Sequence, residues 1–383
     1  MAEAYIVEAL RTAGGRRNGA LSGMHPADLG ALVLNAIVDR TRIDHAAIDD
    51  VIVGCVTQAG EQSSAFGRNM VLASSLPKSV PAVTIDRQCG SSQQAVHFAA
   101  QAVMSGTQDL VIAAGAESMT RVPMGSNYAL HAKAGVGDGP WSRAILDRYR
   151  VAEFSQFTGA QMLADKYGIS REAMDAYAVT SHRRAAAAID SGAFKIEIVP
   201  VGNFAVDEGV RRDTSIESLA ALKPIKDGGG LTAGNASQIT DGASAALIVS
   251  EAALKSFNLE PLARIHSLSV VAGDPIMMLE EPISATAKAL QRAGLKLSDI
   301  DLFEVNEAFA SVPLAWLKAT GADPAKVNVN GGAIALGHPL GGTGTKLMAT
   351  LAHALRNRGK RWGLQTMCEG GGMANATIIE ALP

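Results

Sequence analysis

Apolar residues in this chain fall into short uninterrupted runs that end at glycine or small polar residues. IDDVIVGCVTQAG (48–60) and LVIAAGAESM (110–119) are two of them, both short and both closed by a loop. Runs of that length and bounding predict buried strands. Between them, SVPAVTIDRQCGSSQQAVHFAAQAVMSG (79–106) changes period: a strand-like start, a turn at CGSS, then Val96, Ala99, Ala100 and Val103 at helical spacing, with Gly106 as the stop.

The same order returns near the carboxyl end. DIDLFEVNEAFA (299–310) reads as strand and loop, VNVNGGAIALGHPLGGTGTKLMATLAHALRNRG (327–359) as strand, Gly-rich turn and helix, and WGLQTMCEGGGMANATIIEAL (362–382) as a strand ending in a small-residue loop. Residue identity between the two series is low, so the pattern alone indicates an internal duplication. Two similar α/β halves facing each other would bring these loops together.

Residues 121–245 differ in character. RVPMGSNYALHAKAGVGDGPW is irregular, SREAMDAYAVTSHRRAAAAIDSG predicts a helix with Ser170 as N-cap and Gly192 as stop, and KDGGGLTAGNASQITDGAS is a Gly- and Asn-rich loop. The chain therefore divides into a first half (1–120), an inserted loop domain with a return to the first half (121–245), and a second half (246–383), all of class α/β. A long insertion of this kind points to binding.

Composition narrows the class. At 383 residues and 48% hydrophobic content, the chain can fill the cores of about two domains. Lys plus Arg number 34 against 37 acidic residues, a formal net charge of -3 without a long run of one sign, so no nucleic-acid-binding surface is expected. There is no apolar stretch of about 18 residues, and MAEAYIVEALRTAGG lacks the layout of a signal peptide, so the expected location is cytoplasmic, with no membrane contact. Cys55, Cys89 and Cys368 are too few and scattered for a disulfide framework and read as free thiols. Aromatic residues make up only 4% while Ala and Gly abound, which predicts helices and sheets in close contact.

Four places could carry chemistry. Cys89 stands where an apolar strand breaks into CGSS and a helix begins. The positive end of a helix and its free N–H groups favour a thiolate, so the pKa is expected below about 8.5 and the residue to be a nucleophile; the position equally suits a small buried hydrophobe. GGAIALGHPLGGTG (331–344) surrounds His338 with glycines and follows it with Pro339, a tight loop that a substrate can approach. A histidine held there could deprotonate a thiol, or be a loop residue only. Cys368 opens CEGGG, whose successive glycines either offer N–H groups to an oxyanion or make a flexible turn. Asn306 and Glu307, in NEAFA, end a strand, where a helix cap is the plain alternative.

Familiar alternatives are missing. Lys346 follows Thr345, so there is no GxxxxGK[ST]; GVGDGP (135–140) is not GxGxxG; and HExxH, CxxC and GxSxG do not occur. Nucleotide hydrolysis, dinucleotide redox chemistry, zinc catalysis and α/β-hydrolase chemistry fall away.

Taken in order, CGSS at 89, NEAFA at 306, GGAIALGHPLG at 331 and CEGGG at 368 resemble the thiolase family, the acetyl-CoA acetyltransferases and 3-ketoacyl-CoA thiolases. The likeness runs from IVEALRTAGG to ATIIEAL. It implies a five-layered fold of two αβαβα halves with an inserted loop domain. Cys89 would be the acylated nucleophile, His338 its activator, and Cys368 the group that moves a proton to or from the α-carbon of acetyl-CoA. Asn306 would hold a water that, with His338, forms one oxyanion hole, and the N–H groups of Cys89 and Gly370 the other. Coenzyme A is then a substrate, and neither a resident cofactor nor a metal is implied. Ser237, in TAGNAS, matches a contact to the pantetheine arm, and Met278 one that lines the acyl pocket. Arg183, Arg184, Arg211, Arg212 and Lys223 are candidates for the CoA phosphates, each equally readable as part of a solvated basic face. A homodimer or homotetramer is implied as well.

The chain departs from the family pattern at several positions. SQF (155–157) stands where acetoacetyl-specific members often carry His-Met-Gly. Asp86, Gln238 and Glu369 are also unusual, and Glu369 is expected to point away from the catalytic thiols, since a like charge facing Cys368 would raise its pKa. The expected function is degradative thiolysis of 3-ketoacyl-CoA, with medium or bulky acyl groups, ring-derived ones among them. Its alternatives are an acetoacetyl-CoA-forming thiolase and a non-catalytic acyl-CoA-binding protein. A ketoacyl synthase is disfavoured by Cys368, which that class lacks.

Overall fold

The computed structural model describes residues 2–382. Its strands are β1 (Ala4–Thr12), β2 (Gly15–Arg16), β3 (Asp50–Gly54), β4 (Ala82–Ile85), β5 (Leu110–Ser118), β6 (Ile198–Val199), β7 (Thr240–Ser250), β8 (Ala263–Ala272), β9 (Leu302–Val305), β10 (Trp362–Glu369) and β11 (Met373–Ala381). One hydrogen-bonded path runs β4-β3-β5-β7-β1-β8-β11-β10-β9, with β2 and β6 paired to β7 and β1 at its side.

The path is two copies of one plan. In the first, β3 is parallel to β4 and β5, and β7 runs antiparallel to β5 and β1. In the second, β9 is parallel to β10 and to a bridge at Val327, and β11 runs antiparallel to β10 and β8. The bridge stands where β4 stands in the first half. Ala4–Ile6 of β1 pairs with Ala263–Ile265 of β8 and joins the copies.

Alternation along the strands sorts side chains between layers. Val51 and Val53 face the outer helices Pro26–Thr41 and Phe66–Ala73. Ile52 faces the interior, where helices Ser91–Ser105 and Thr343–Asn357 lie between the two sheets, packing Val96, Ala99 and Val103 with Met348, Leu351 and Leu355. Helices Pro282–Ala293 and Ser311–Thr320 cover the far side, with Trp316 on Phe303. Five layers result, and both sheets are covered on both faces. The close contact explains the wealth of small residues: a Cβ on Gly344 would collide with the backbone of Gln93 in the facing helix.

The inserted segment is more ordered than its sequence suggests. Ser126–Ala134 and Arg143–Tyr149 are helices, although RVPMGSNYALHAKAGVGDGPW reads as irregular; Gly135, at φ 66°, supplies the left-handed stop. Arg171–Asp190 is the long helix, with the Ser170 hydroxyl accepting from Ala173 N–H. After β10 the chain also returns as β11, where the sequence suggested only a loop. Among the described residues, no helix is long and apolar enough to cross a membrane.

Candidate active site

The duplication places the end of β4 and the residues after Val327 at equivalent points, each leading into a central helix. Cys89 lies in the first such connection and His338 in the second. The Cys89 turn is tight: Gln88 adopts φ 49°, Ser91 Oγ donates to Gln88 O at 2.6 Å and accepts from Arg87 N–H at 2.9 Å, and Gly90 caps the helix. Cys89 is half-buried in the wall of a cavity. Burial first, and the charge of Glu369 next, push its thiol up to about 12. This corrects the expectation of a depressed pKa, because desolvation of the thiolate outweighs the helix terminus. At rest Cys89 is a thiol and needs a base.

His338 is buried, and its loop is braced from both halves. Glu307, a buried carboxylate, accepts from Ile334 N–H before the histidine, and Glu117 from Gly341 N–H after it. Lys346 donates to Leu336 O and Gly337 O, the two carbonyls preceding His338. The ring is oriented by Thr343, whose Oγ1 donates to Pro339 O at 2.9 Å and so accepts from His338 Nδ1–H at 2.6 Å. The other nitrogen, Nε2, is left with its lone pair, 3.5 Å from Asn306 Nδ2. Burial, with Lys346 nearby, holds the imidazole down to about 3, so it is neutral and able to accept a proton.

Cys368, next to last in β10, lies among Phe309, Met278 and Ile334, fully buried, and burial followed by the proximity of Cys89 pushes its thiol well up. Asn306 leaves β9 with Oδ1 buried and without a hydrogen-bond partner. Gly370 lines the same cavity as Cys89, and neither residue's N–H is used in the hydrogen bonds of the surrounding turns. Cys89 and Gly370 thus share one cavity wall with Leu340 of the histidine loop, Cys368 lies close enough to Cys89 for their charges to act on each other, and His338 and Asn306 form a second pair.

The cavity measures about 1000 Å³ and runs from Cys89 to the inserted domain, which supplies Tyr128, Trp141, Tyr149, Phe154 and Phe157. Trp141 lies between Tyr128 and Phe154, with ring centroids 6.1 and 5.8 Å away, and Phe157 meets Phe309 edge-on at 5.6 Å. Ser155, Gln156 and Phe157, the SQF departure, line it together with Met278.

The remaining site residues lie elsewhere. TAGNAS is stitched to NEAFA through Ser237 N–H to Ala308 O and Ala310 N–H to Asn235 O, which sets Ser237 near Asn306 without lining the cavity. Arg211, Arg212 and Lys223 are exposed and do not line it either; Arg212 pairs with Asp190 at 2.7 Å. Arg183 is exposed, while Arg184 spends its guanidinium on Pro324 O, Val327 O and Asn328 O, holding the chain ahead of the His338 loop. Glu369 leaves β10 on the face opposite Cys368, but that does not take it away from both thiols: it is fully buried against Gly90, and its charge is among the influences that raise Cys89 and Cys368. Of the cavity aromatics the sequence marks only Phe157, within SQF; Thr343, Lys346, Glu117, Tyr128, Trp141, Tyr149 and Phe154 carry no such mark. For Thr343 the only signal was a hydroxyl residue five positions after the histidine.

Comparison with known proteins gives the family. Residues 4–252 match the model of the thiolase N-terminal domain and residues 259–381 that of the thiolase C-terminal domain. A steroid 3-ketoacyl-CoA thiolase of Mycobacterium tuberculosis is 54% identical over 387 aligned residues, covering 100% of this chain and 95% of that protein. An acetyl-CoA acetyltransferase of Escherichia coli is 45% identical, covering 100% of both chains. A 3-ketoacyl-CoA thiolase of Bacillus subtilis is 41% identical, covering 99% of this chain and 100% of that protein. With both domain models matched in order and the paired loops meeting at one site, this chain belongs to the thiolase family.

Proposed function

We propose that this thiolase cleaves 3-ketoacyl-CoA thioesters whose acyl part is bulky, flat and apolar, through an acyl-Cys89 intermediate. The observation that carries the substrate class is the aromatic-walled cavity of about 1000 Å³ at Cys89. That volume is at the upper end for small-molecule sites, and an acetoacetyl group would leave most of it unfilled. The name of the Mycobacterium tuberculosis relative supports the same reading.

The residues suffice for a balanced reaction. His338 Nε2 takes the Cys89 proton, and the thiolate adds to the 3-keto carbon while the N–H groups of Cys89 and Gly370 hold the oxyanion. The C2–C3 bond breaks with its electron pair going to C2. Protonated His338, with a water on Asn306, holds the enolate oxygen, and Cys368 gives its thiol proton to C2, releasing acetyl-CoA. A second CoA thiol passes its proton to the Cys368 thiolate and attacks the acyl group. Cys89 leaves as a thiolate and recovers its proton from His338. The sequence is ping-pong and draws on side chains and CoA alone, with no metal or resident cofactor.

The test is kcat/KM across 3-ketoacyl-CoAs from acetoacetyl to ring-bearing ones. A ring-bearing substrate is expected to exceed acetoacetyl-CoA by about tenfold or more, the value of one good aromatic contact. Equal or reversed values would make this an acetoacetyl enzyme. A homodimer or homotetramer in the cytoplasm belongs to the same proposal. It is supported by the open sheet edge at β4, where Val83 is 45% exposed, and a monomeric mass in solution scattering contradicts it.

A further inference from the structure

Behind the nucleophile turn lies a group that the proposed chemistry does not use. Glu369 follows Cys368 in β10, so its side chain leaves the opposite face of the strand. That face is also interior: Glu369 is fully buried, and neither carboxyl oxygen has a hydrogen-bond partner. A Cβ on Gly90 would fall on Glu369 Oε1 and come close to the Asn375 amide. The carboxyl group therefore touches the Cα of the residue that follows Cys89 and caps the central helix. Asn375 grips the same residue, donating from Nδ2 to Gly90 O at 3.1 Å.

The titratable groups around it are few. Asp86, Arg87 and Cys89 lie on the side of the turn, Cys368 is its neighbour in β10 on the opposite face, and Asn375 on β11 is uncharged. Arg87 forms no ion pair with it, since the guanidinium turns to Met373 Sδ at 3.8 Å and leaves Nε without a partner. A carboxylate without donors is far costlier to bury than the acid, and burial holds Glu369 well above the usual carboxylate range.

We propose that Glu369 is a positioning residue for Cys89: as the neutral acid it fills the space beneath Gly90, and once ionised it opposes formation of the Cys89 thiolate. Glu369 then acts as a brake on the nucleophile toward alkaline pH. The inference rests on Cys89 being the nucleophile, and the test reads the thiol without substrate, so failure of thiolysis and failure of the brake remain distinguishable.

The experiment is the rate of iodoacetamide alkylation of the Cys89 peptide, by mass spectrometry, from about pH 6 to about pH 10. It is run on the native enzyme, Glu369→Gln and Glu369→Met. Two coupled groups titrate in two steps, so the native rate should rise, flatten as Glu369 ionises, and rise again. Both variants should rise along a single slope and react at least about tenfold faster at alkaline pH, the effect of one pKa unit. A native profile that follows one unbroken titration overturns the proposal without any variant. So do variant profiles that superimpose on the native one, with or without a loss of melting temperature, because Glu369 would then be packing only.

Discussion

The Thr343 hydroxyl fixes the tautomer of His338. It donates to Pro339 O and therefore receives the Nδ1 proton across 2.6 Å, which turns the unprotonated Nε2 toward Asn306. A buried neutral imidazole with a free lone pair is a base in waiting. The thiol it serves is pushed up to about 12, so the Cys89 proton must be taken at the moment of attack.

Replacing Thr343 with Val removes the acceptor for Nδ1–H while keeping the shape. The Thr343→Val enzyme should lose about tenfold to a hundredfold in kcat/KM, part of what a positioned base supplies, and Thr343→Ser should restore most of it. Val and Thr enzymes of equal activity would show that the hydroxyl does not orient the ring.

Trp141 stands between Tyr128 and Phe154 in the wall of the cavity, remote from His338 in the sequence. Trp141→Ala should lower kcat/KM for ring-bearing substrates by about tenfold, the worth of about 1.5 kcal/mol of aromatic contact, and leave acetoacetyl-CoA unaffected. An equal loss for both substrates would place Trp141 in the general scaffold.

Glu307 accepts hydrogen bonds from Tyr177 Oη, Ser181 Oγ, Asn328 Nδ2 and Ile334 N–H, so four donors depend on one buried side chain. Asn328 Nδ2 keeps Val305 O as an acceptor, but Glu307→Ala leaves the other three without theirs, and the stability should fall by about 3 kcal/mol or more in urea unfolding. A change below about 1 kcal/mol would mean that the donors find other partners.

Acid stability has a definite sign. Burial, the leading influence in each case, holds His338 and His97 down to about 3 from 6.5. Between those values the unfolded chain binds protons that the folded chain refuses. This contribution is therefore complete above about pH 6.5 and drains as pH falls toward about 3. His97 lies outside the catalytic group, with Nε2 on Thr377 Oγ1 at 2.8 Å. In His97→Gln the decline of melting temperature across that window should be shallower than in the native enzyme; parallel curves would contradict the assignment.

The sequence made the duplication and the catalytic loops readable because strand length, glycine position and helical period are local properties. CGSS at a strand-to-helix break and HPLGG in the matching place of the second half needed no knowledge of layers. What stayed hidden depends on burial. The helix end beside Cys89 is visible in the letters, but the desolvation that overrides it is not. Strand alternation correctly puts Cys368 and Glu369 on opposite faces of β10, yet it could not show that both faces are interior. That follows only from a sheet covered on each side. The aromatic wall escaped notice for a similar reason, since Tyr128, Trp141 and Phe154 converge from separate elements of a segment with little periodicity.

The central claim is that Cys89 carries the acyl group. Brief incubation with a ring-bearing 3-ketoacyl-CoA in the absence of free CoA, followed by intact-protein and peptide mass spectrometry, tests it most directly. The expected result is one acyl adduct per chain on the Cys89 peptide, formed faster than from acetoacetyl-CoA and lost on addition of CoA. No adduct from any substrate, with the protein folded and CoA bound, would contradict the account and identify a thiolase-fold protein that binds acyl-CoA without turning it over.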